Sequence, residues 1–108
     1  MQTRICRTDA TPVEMIPGLI RRTLAWGEKA MICEFTAEEG VIIPLHSHHH
    51  EQVGYVLEGR VEFTVEKETF VANSGDSYAL PGHTPHSAHF LVPTILIEVF
   101  SPVREEYQ

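Results

Sequence analysis

Only two cysteines, Cys6 and Cys33, occur in the 108 residues. They lack C-x-x-C or any other zinc-type spacing, which excludes a disulfide framework and a thiolate metal site and leaves two ordinary thiols of a reducing compartment. Positive charge is also scarce. Eight Lys and Arg stand against fifteen Asp and Glu, a formal net charge of −7 with no basic patch, so nucleic acid and anionic membranes are excluded as partners. No apolar run approaches the roughly 18 residues that a membrane helix needs. Arg4, Arg7 and Asp9 near the N-terminus are followed by no apolar stretch of the leader type. The expectation is a soluble, cytoplasmic protein with no membrane partner. Helical periodicity is missing from every window of useful length, which removes the all-α and α/β classes.

What is present points to strands. Seven Pro, seven Gly and a wealth of Val, Ile, Thr, Tyr and Phe favour short strands and turns in one all-β domain over 1–108. Residues 1–18 end in Pro17-Gly18 and read as an extended arm with one edge strand, suited to exchange with a twin in a homodimer. Barrel strands fill 19–100: Ile20 to Leu24 and Lys29 to Phe35 about Gly27-Glu28, then Val41 to Leu45, an edge or bulged strand because of Pro44. Val53 to Leu57 and Arg60 to Glu66 flank Glu58-Gly59, which predicts a hairpin with positive φ at the glycine. Further strands at Phe70 to Ala72, Ser77 to Leu80, Ser87 to Leu91 and Thr94 to Phe100 bring the count to eight to ten, before a tail over 101–108. Such a count suits a closed barrel or jelly roll.

The chemistry begins at His46-Ser47-His48-His49-His50-Glu51-Gln52. Strand alternation points His46 and His48 the same way, as it does His50 and Gln52, and two adjacent imidazoles make a metal clamp. Pro81-Gly82-His83-Thr84-Pro85-His86 presents His86 at the start of a later strand, where folding brings it to the same pocket. Three neutral imidazoles and one oxygen ligand suit one divalent transition metal per chain, and Zn, Ni, Fe, Mn and Cu all qualify. Parity favours Gln52 over its stronger but opposite-facing neighbour Glu51 as the oxygen ligand. His49 and His89 are expected at the surface, His50 at the pocket mouth without binding, and Tyr55, Phe63, Tyr78 and Phe90 in the core. On the last strand Leu96, Glu98 and Phe100 share one face. A carboxylate inside an apolar strand needs a partner or a task. Ser101-Pro102 turns the chain so that Arg104 folds back toward Glu98, where a salt bridge tying down the tail is the structural alternative to a functional pair. Arg21 and Arg22 fit either an anionic substrate or an outer face, and neither is assigned.

Gly40, five residues, His46-x-His48, three residues, Gln52, six residues and Gly59 resemble the first motif of the cupins. Gly75-Asp76, four residues, Pro81 and then His86 resemble the second, after a fifteen-residue stretch from Arg60 to Ser74. The resemblance covers about residues 19–100 and implies a cupin double-stranded β-helix with metal ligands at His46, His48, Gln52 and His86. Gln52 replaces the usual acidic ligand, His83 the usual Gly, and Phe90 the common terminal Asn. His83 is expected to tolerate a left-handed conformation.

The string Glu98-Val-Phe100-Ser-Pro-Val-Arg104-Glu-Glu-Tyr107, with His-Ser-His-x-His-Glu-Gln, is similar to the small cupins that ketonise unsaturated uronates in pectin and alginate breakdown. That resemblance implies an enzyme opening a 4,5-unsaturated uronate to a linear 4-deoxy-5-keto acid, with a small sugar acid as its partner. Glu98 stands at the family's acid position, usually Asp, with Phe100 at its aromatic and Arg104 at its arginine. The chemistry of these groups gives proton transfer to Glu98, carboxylate binding to Arg104 and an apolar wall to Phe100. Two other classes share the ligand set: a cupin dioxygenase using Fe or Cu, and a module that binds metal and sugar without turnover.

Overall fold

Gly18, Gly40, Gly59 and Gly75 all adopt positive φ, and each stands at a turn between strands of the computed structural model, which describes residues 3–108. The strands are β1 (Pro12–Ile16), β2 (Leu19–Trp26), β3 (Met31–Ala37), β4 (Ile42–His46), β5 (Glu51–Glu58), β6 (Arg60–Val65), β7 (Glu68–Asn73), β8 (Ser77–Leu80), β9 (His86–Phe90) and β10 (Thr94–Ser101). Short 3₁₀ turns at Arg7–Asp9 and Glu105–Tyr107 are the helical elements among the described residues, and no helix there is long and apolar enough to cross a membrane.

Two antiparallel sheets form the body. The order in the larger is β1-β2-β3-β10-β5-β8 and in the smaller β4-β9-β6-β7. Period-two alternation closes the core between them: β5 and β10 each bury every second residue, among them Val56, Leu96 and Phe100, against Val61, Phe63 and Phe90 of the smaller sheet. The arrangement is the jelly roll that the strand count suits and that the resemblance to the cupins implies.

Two expectations change. β5 and β6 do not form a hairpin, since β5 pairs with β10 and β8 while β6 pairs with β7 and β9. Gly59, at φ 112°, is instead a corner where the chain passes between sheets, tied by Ser74 N–H donating to its carbonyl. A Cβ there would come 2.4 Å from Thr94 Oγ1, so the corner needs glycine for space as well as for φ. The tight hairpin lies one strand later, between β6 and β7, with Glu66 at φ 54°. The N-terminal arm supplies the expected edge strand, but β1 pairs with β2 of its own chain through the Pro17-Gly18 turn. β4 is an edge strand whose register with β9 slips between Ile43 and His46, as Pro44 leads one to expect.

Candidate metal centre

β4 ends at His46, and residues 47–50 leave the strand before β5 begins, so strand parity does not govern the histidine run. Register does the work instead. His46 lies opposite His86 in the β4–β9 pair, and the loop brings His48 back over them. The ring centroids are 4.4 Å apart for His46 and His86, 5.2 Å for His48 and His86, and 5.7 Å for His46 and His48. One ring nitrogen of each lies within 4.8 Å of the others.

Hydrogen bonds fix which nitrogen faces inward. Nδ1 of His46 lies 2.8 Å from Pro44 O, Nδ1 of His48 3.0 Å from His50 O, and Nδ1 of His86 2.8 Å from Thr84 O. A carbonyl oxygen only accepts, so each Nδ1 carries the proton and each Nε2 is left with a lone pair. His86 Nε2 is buried without a partner. Burial pulls the His48 imidazole down to about 4, helped by the nearby Arg104 and His86, and burial also lowers His86, so both rings are neutral at ordinary pH.

Gln52 completes the cluster. β5 alternation buries it and exposes Glu51. Its Nε2 donates to Glu98 Oε2 at 2.6 Å, which turns Oε1 toward His48 Nε2, 3.1 Å away. Two lone-pair atoms facing each other at that distance repel unless a cation sits between them. The donor set of three imidazole nitrogens and an amide oxygen therefore fits a divalent transition metal.

Behind Gln52 stands a buried acid. Glu98 is 5 % exposed and accepts from both Gln52 and Tyr78, whose hydroxyl lies 2.5 Å away. Gly54 sits between them in the sheet, level with Tyr78 on one side and Glu98 on the other. The tyrosine reaches the acid by crossing over the glycine: a Cβ at Gly54 would lie 2.2 Å from its ring. Burial raises the Glu98 carboxyl above its ordinary range, opposed by the two hydrogen bonds and by Arg104.

His46, Gln52, His86, Glu98, Arg104 and Tyr107 line one cavity of about 170 Å³. Leu96, Glu98 and Phe100 share the inner face of β10, and Arg104 folds back over Phe100 with its guanidinium carbon 5.1 Å from the ring centre. The Glu98–Arg104 salt bridge is not formed; the nearest carboxylate oxygen to Arg104 Nε belongs to Glu106, at 3.7 Å. His50 is buried beside His48, with ring centroids 5.5 Å apart, His49 is exposed, and His83 has φ 64°. Tyr55 is 44 % exposed on the outer sheet face, unlike Phe63, Tyr78 and Phe90 in the core. Tyr78 joins the polar site, a contact signalled in sequence by a glycine inside the apolar β5 strand. Arg21 points inward and Arg22 outward, the latter donating to Ala10 O at 2.9 Å.

A family model described as "Cupin domain" matches residues 33–100. The pectin degradation protein KdgF of Dickeya dadantii is 30% identical over 102 residues, 92% of this chain and 93% of its own. The structure of KdgF from Halomonas sp. superposes with a TM-score of 0.92 at 28% identity over 100% of both chains. An RmlC-like cupin from Shewanella frigidimarina superposes with a TM-score of 0.93 at 30% identity, over 100% of this chain and 97% of that one.

Proposed function

The chain belongs to the cupin family, and from that premise we propose that it is a metal-dependent enzyme of pectin breakdown, converting 4,5-unsaturated uronates to linear 4-deoxy-5-keto uronates. Similarity to KdgF along nearly the whole chain supports the pectin-degradation role. The observation that carries the reaction is that a buried carboxyl, Glu98, shares one cavity with His46, His86 and Arg104.

His46, His48, His86 and Gln52 would hold the metal. When bound, it supplies Lewis acidity toward sugar oxygens with no change of oxidation state. Chemically the conversion is an isomerisation: the anomeric hydroxyl loses a proton, the ring oxygen leaves C1, and C4 gains a proton as the enol at C5 becomes a ketone. One group that accepts and returns a proton suffices, and Glu98 is suited to it because burial raises its carboxyl above the ordinary carboxylate range. Arg104 receives the uronate carboxylate through its planar fork. Phe100, 1 % exposed, packs against the lining residues Arg104 and Tyr107 and gives them an apolar backing.

The test is ultraviolet absorbance of a 4,5-unsaturated galacturonate mixed with metal-loaded protein, because ketonisation destroys the conjugated double bond. Decay faster than in buffer and lost on chelation is the expected result. No acceleration at full metal occupancy sinks the ketonase reading and turns attention to oxygen uptake or binding without turnover.

The same proposal includes a homodimer. Val53, Tyr55 and Leu57 on the outer face of β5 are 41 %, 44 % and 54 % exposed, and they adjoin Ile97 and Val99 of β10. This apolar face suits a second copy better than the arm does, since β1 is paired within its own chain. Light scattering is expected to give twice the chain mass for the wild type and a single chain mass for Tyr55→Glu. A monomeric wild type refutes it.

A further inference from the structure

We propose that Arg21, Tyr107 and Arg104 form one acid-recognition unit, in which the Tyr107 ring carries both guanidiniums and leaves their N–H donors to a ligand's carboxylate. The inference rests on the uronate reading above and extends it by two residues which that reading does not use. The guanidinium carbons of Arg21 and Arg104 lie 4.2 and 4.1 Å from the centre of the Tyr107 ring. A cation over a ring face is oriented by the ring quadrupole without using any hydrogen-bond donor.

The donors stay open. Arg21 enters the barrel from β2, level with Phe35 of β3, and is 8 % exposed. Its Nε is buried without a partner, and its Nη1 reaches only Met15 Sδ, at 3.0 Å, a weak acceptor. Among the described residues no carboxylate lies within ion-pair distance of it. Arg104 Nε is likewise buried and without a hydrogen bond, and its nearest carboxylate, Glu106, is 58 % exposed and therefore weakly attached. The outer arginines differ: Arg7 pairs with Glu34 at 3.0 Å, and Arg22 donates to two backbone carbonyls. In a chain of net charge −7, two inward guanidiniums, one with no carboxylate in ion-pair range and the other with only the exposed Glu106, call for an anion from outside.

Tyr107 is itself firmly placed. Thr23 Oγ1 donates to its carbonyl at 2.5 Å, and its ring meets the edges of Phe100 and Phe35, with centroids 5.6 and 6.3 Å away. Tyr107, Arg104 and Met15 line the same cavity as His46, Gln52 and His86, and Arg21 lies against two of these lining residues, stacked on the Tyr107 ring and in contact with Met15 Sδ.

The rival explanation is that the stack only fastens the C-terminal tail. Nuclear magnetic resonance titration separates the two, using D-galacturonate and its neutral twin D-galactose as probes, neither of which has the double bond that is consumed. The wild type is expected to prefer the acid. Arg21→Met and Tyr107→Leu should each cut the acid-to-neutral affinity ratio about tenfold, the equivalent of one hydrogen bond to a charged group. Tyr107→Phe, which keeps the ring, should keep the ratio. Folded Arg21→Met and Tyr107→Leu proteins with the wild-type ratio overturn the proposal. Should Arg21→Met not fold, Arg21→Lys carries the test: it keeps the charge without the fork, and an unchanged ratio overturns the proposal equally. A wild type that binds both sugars alike brings down the uronate reading itself, whereas acid preference in every variant brings down only the unit described here.

Discussion

His86→Ala is expected to lose its metal and its turnover while the barrel stays folded. His86 is 4 % exposed at the first residue of β9, and its Nδ1 is held on Thr84 O, so its free Nε2 has one orientation and no substitute nearby. Removing it leaves two imidazoles and an amide oxygen, too few for tight binding. Losing even a group that only orients a ligand costs about 10–100-fold in metal affinity, so losing the ligand should cost more than 100-fold. The fold should survive because the core is carried by Val56, Phe63, Phe90, Leu96 and Phe100, which the change does not touch. Two measurements check this. Elemental analysis after dialysis against a chelator should find metal in the wild type and none in the variant. Added metal should raise the wild-type melting temperature, because a ligand bound only by the folded state at a hundred times its Kd stabilises by about 2.7 kcal/mol, and it should leave the variant's unchanged. A variant that retains metal at wild-type stoichiometry removes His86 from the ligand set.

The residues most easily read in the sequence were those whose neighbours in space are fixed by local rules. Alternation along β10 places Leu96, Glu98 and Phe100 inward from the pattern alone, and Pro44 marks β4 as an edge. Features that depend on pairing between distant strands were not legible. Glu58-Gly59 has the composition of a hairpin, yet the chain there turns a corner between sheets, because Gly59 packs on Pro93 and Thr94, more than thirty residues away. The inward direction of Arg21 follows from its register with Phe35, which only the assembled sheet provides. Tyr78 reads as an ordinary core aromatic until Gly54 and Glu98 are found beside it in successive strands. The histidine run gave its cluster for a reason other than strand parity, since only His46 of the run lies in a strand.

Glu98 has two separable duties, and a pair of substitutions is expected to divide them. As acceptor from Gln52 it holds the amide with Oε1 toward the histidines; as a buried carboxyl it carries a proton. Glu98→Ala leaves Gln52 Nε2 and the Tyr78 hydroxyl buried and unpaired, so the amide can turn its nitrogen inward, and metal affinity should fall about 10–100-fold along with activity. Glu98→Gln keeps the shape. Gln52 Nε2 and the Tyr78 hydroxyl both donate to one oxygen of Glu98, and a carbonyl oxygen at that position accepts from both, so both partners stay satisfied and metal binding should be near that of the wild type. An amide cannot take up or release the proton, so turnover should still drop about 10²–10⁴-fold. Decay of the unsaturated uronate and metal content, measured on the same preparations, give the answer. Near-normal turnover in Glu98→Gln would confine Glu98 to orienting Gln52 and move the proton to another group of the cavity. Loss of turnover with the metal retained leaves proton transfer as the duty the amide cannot perform.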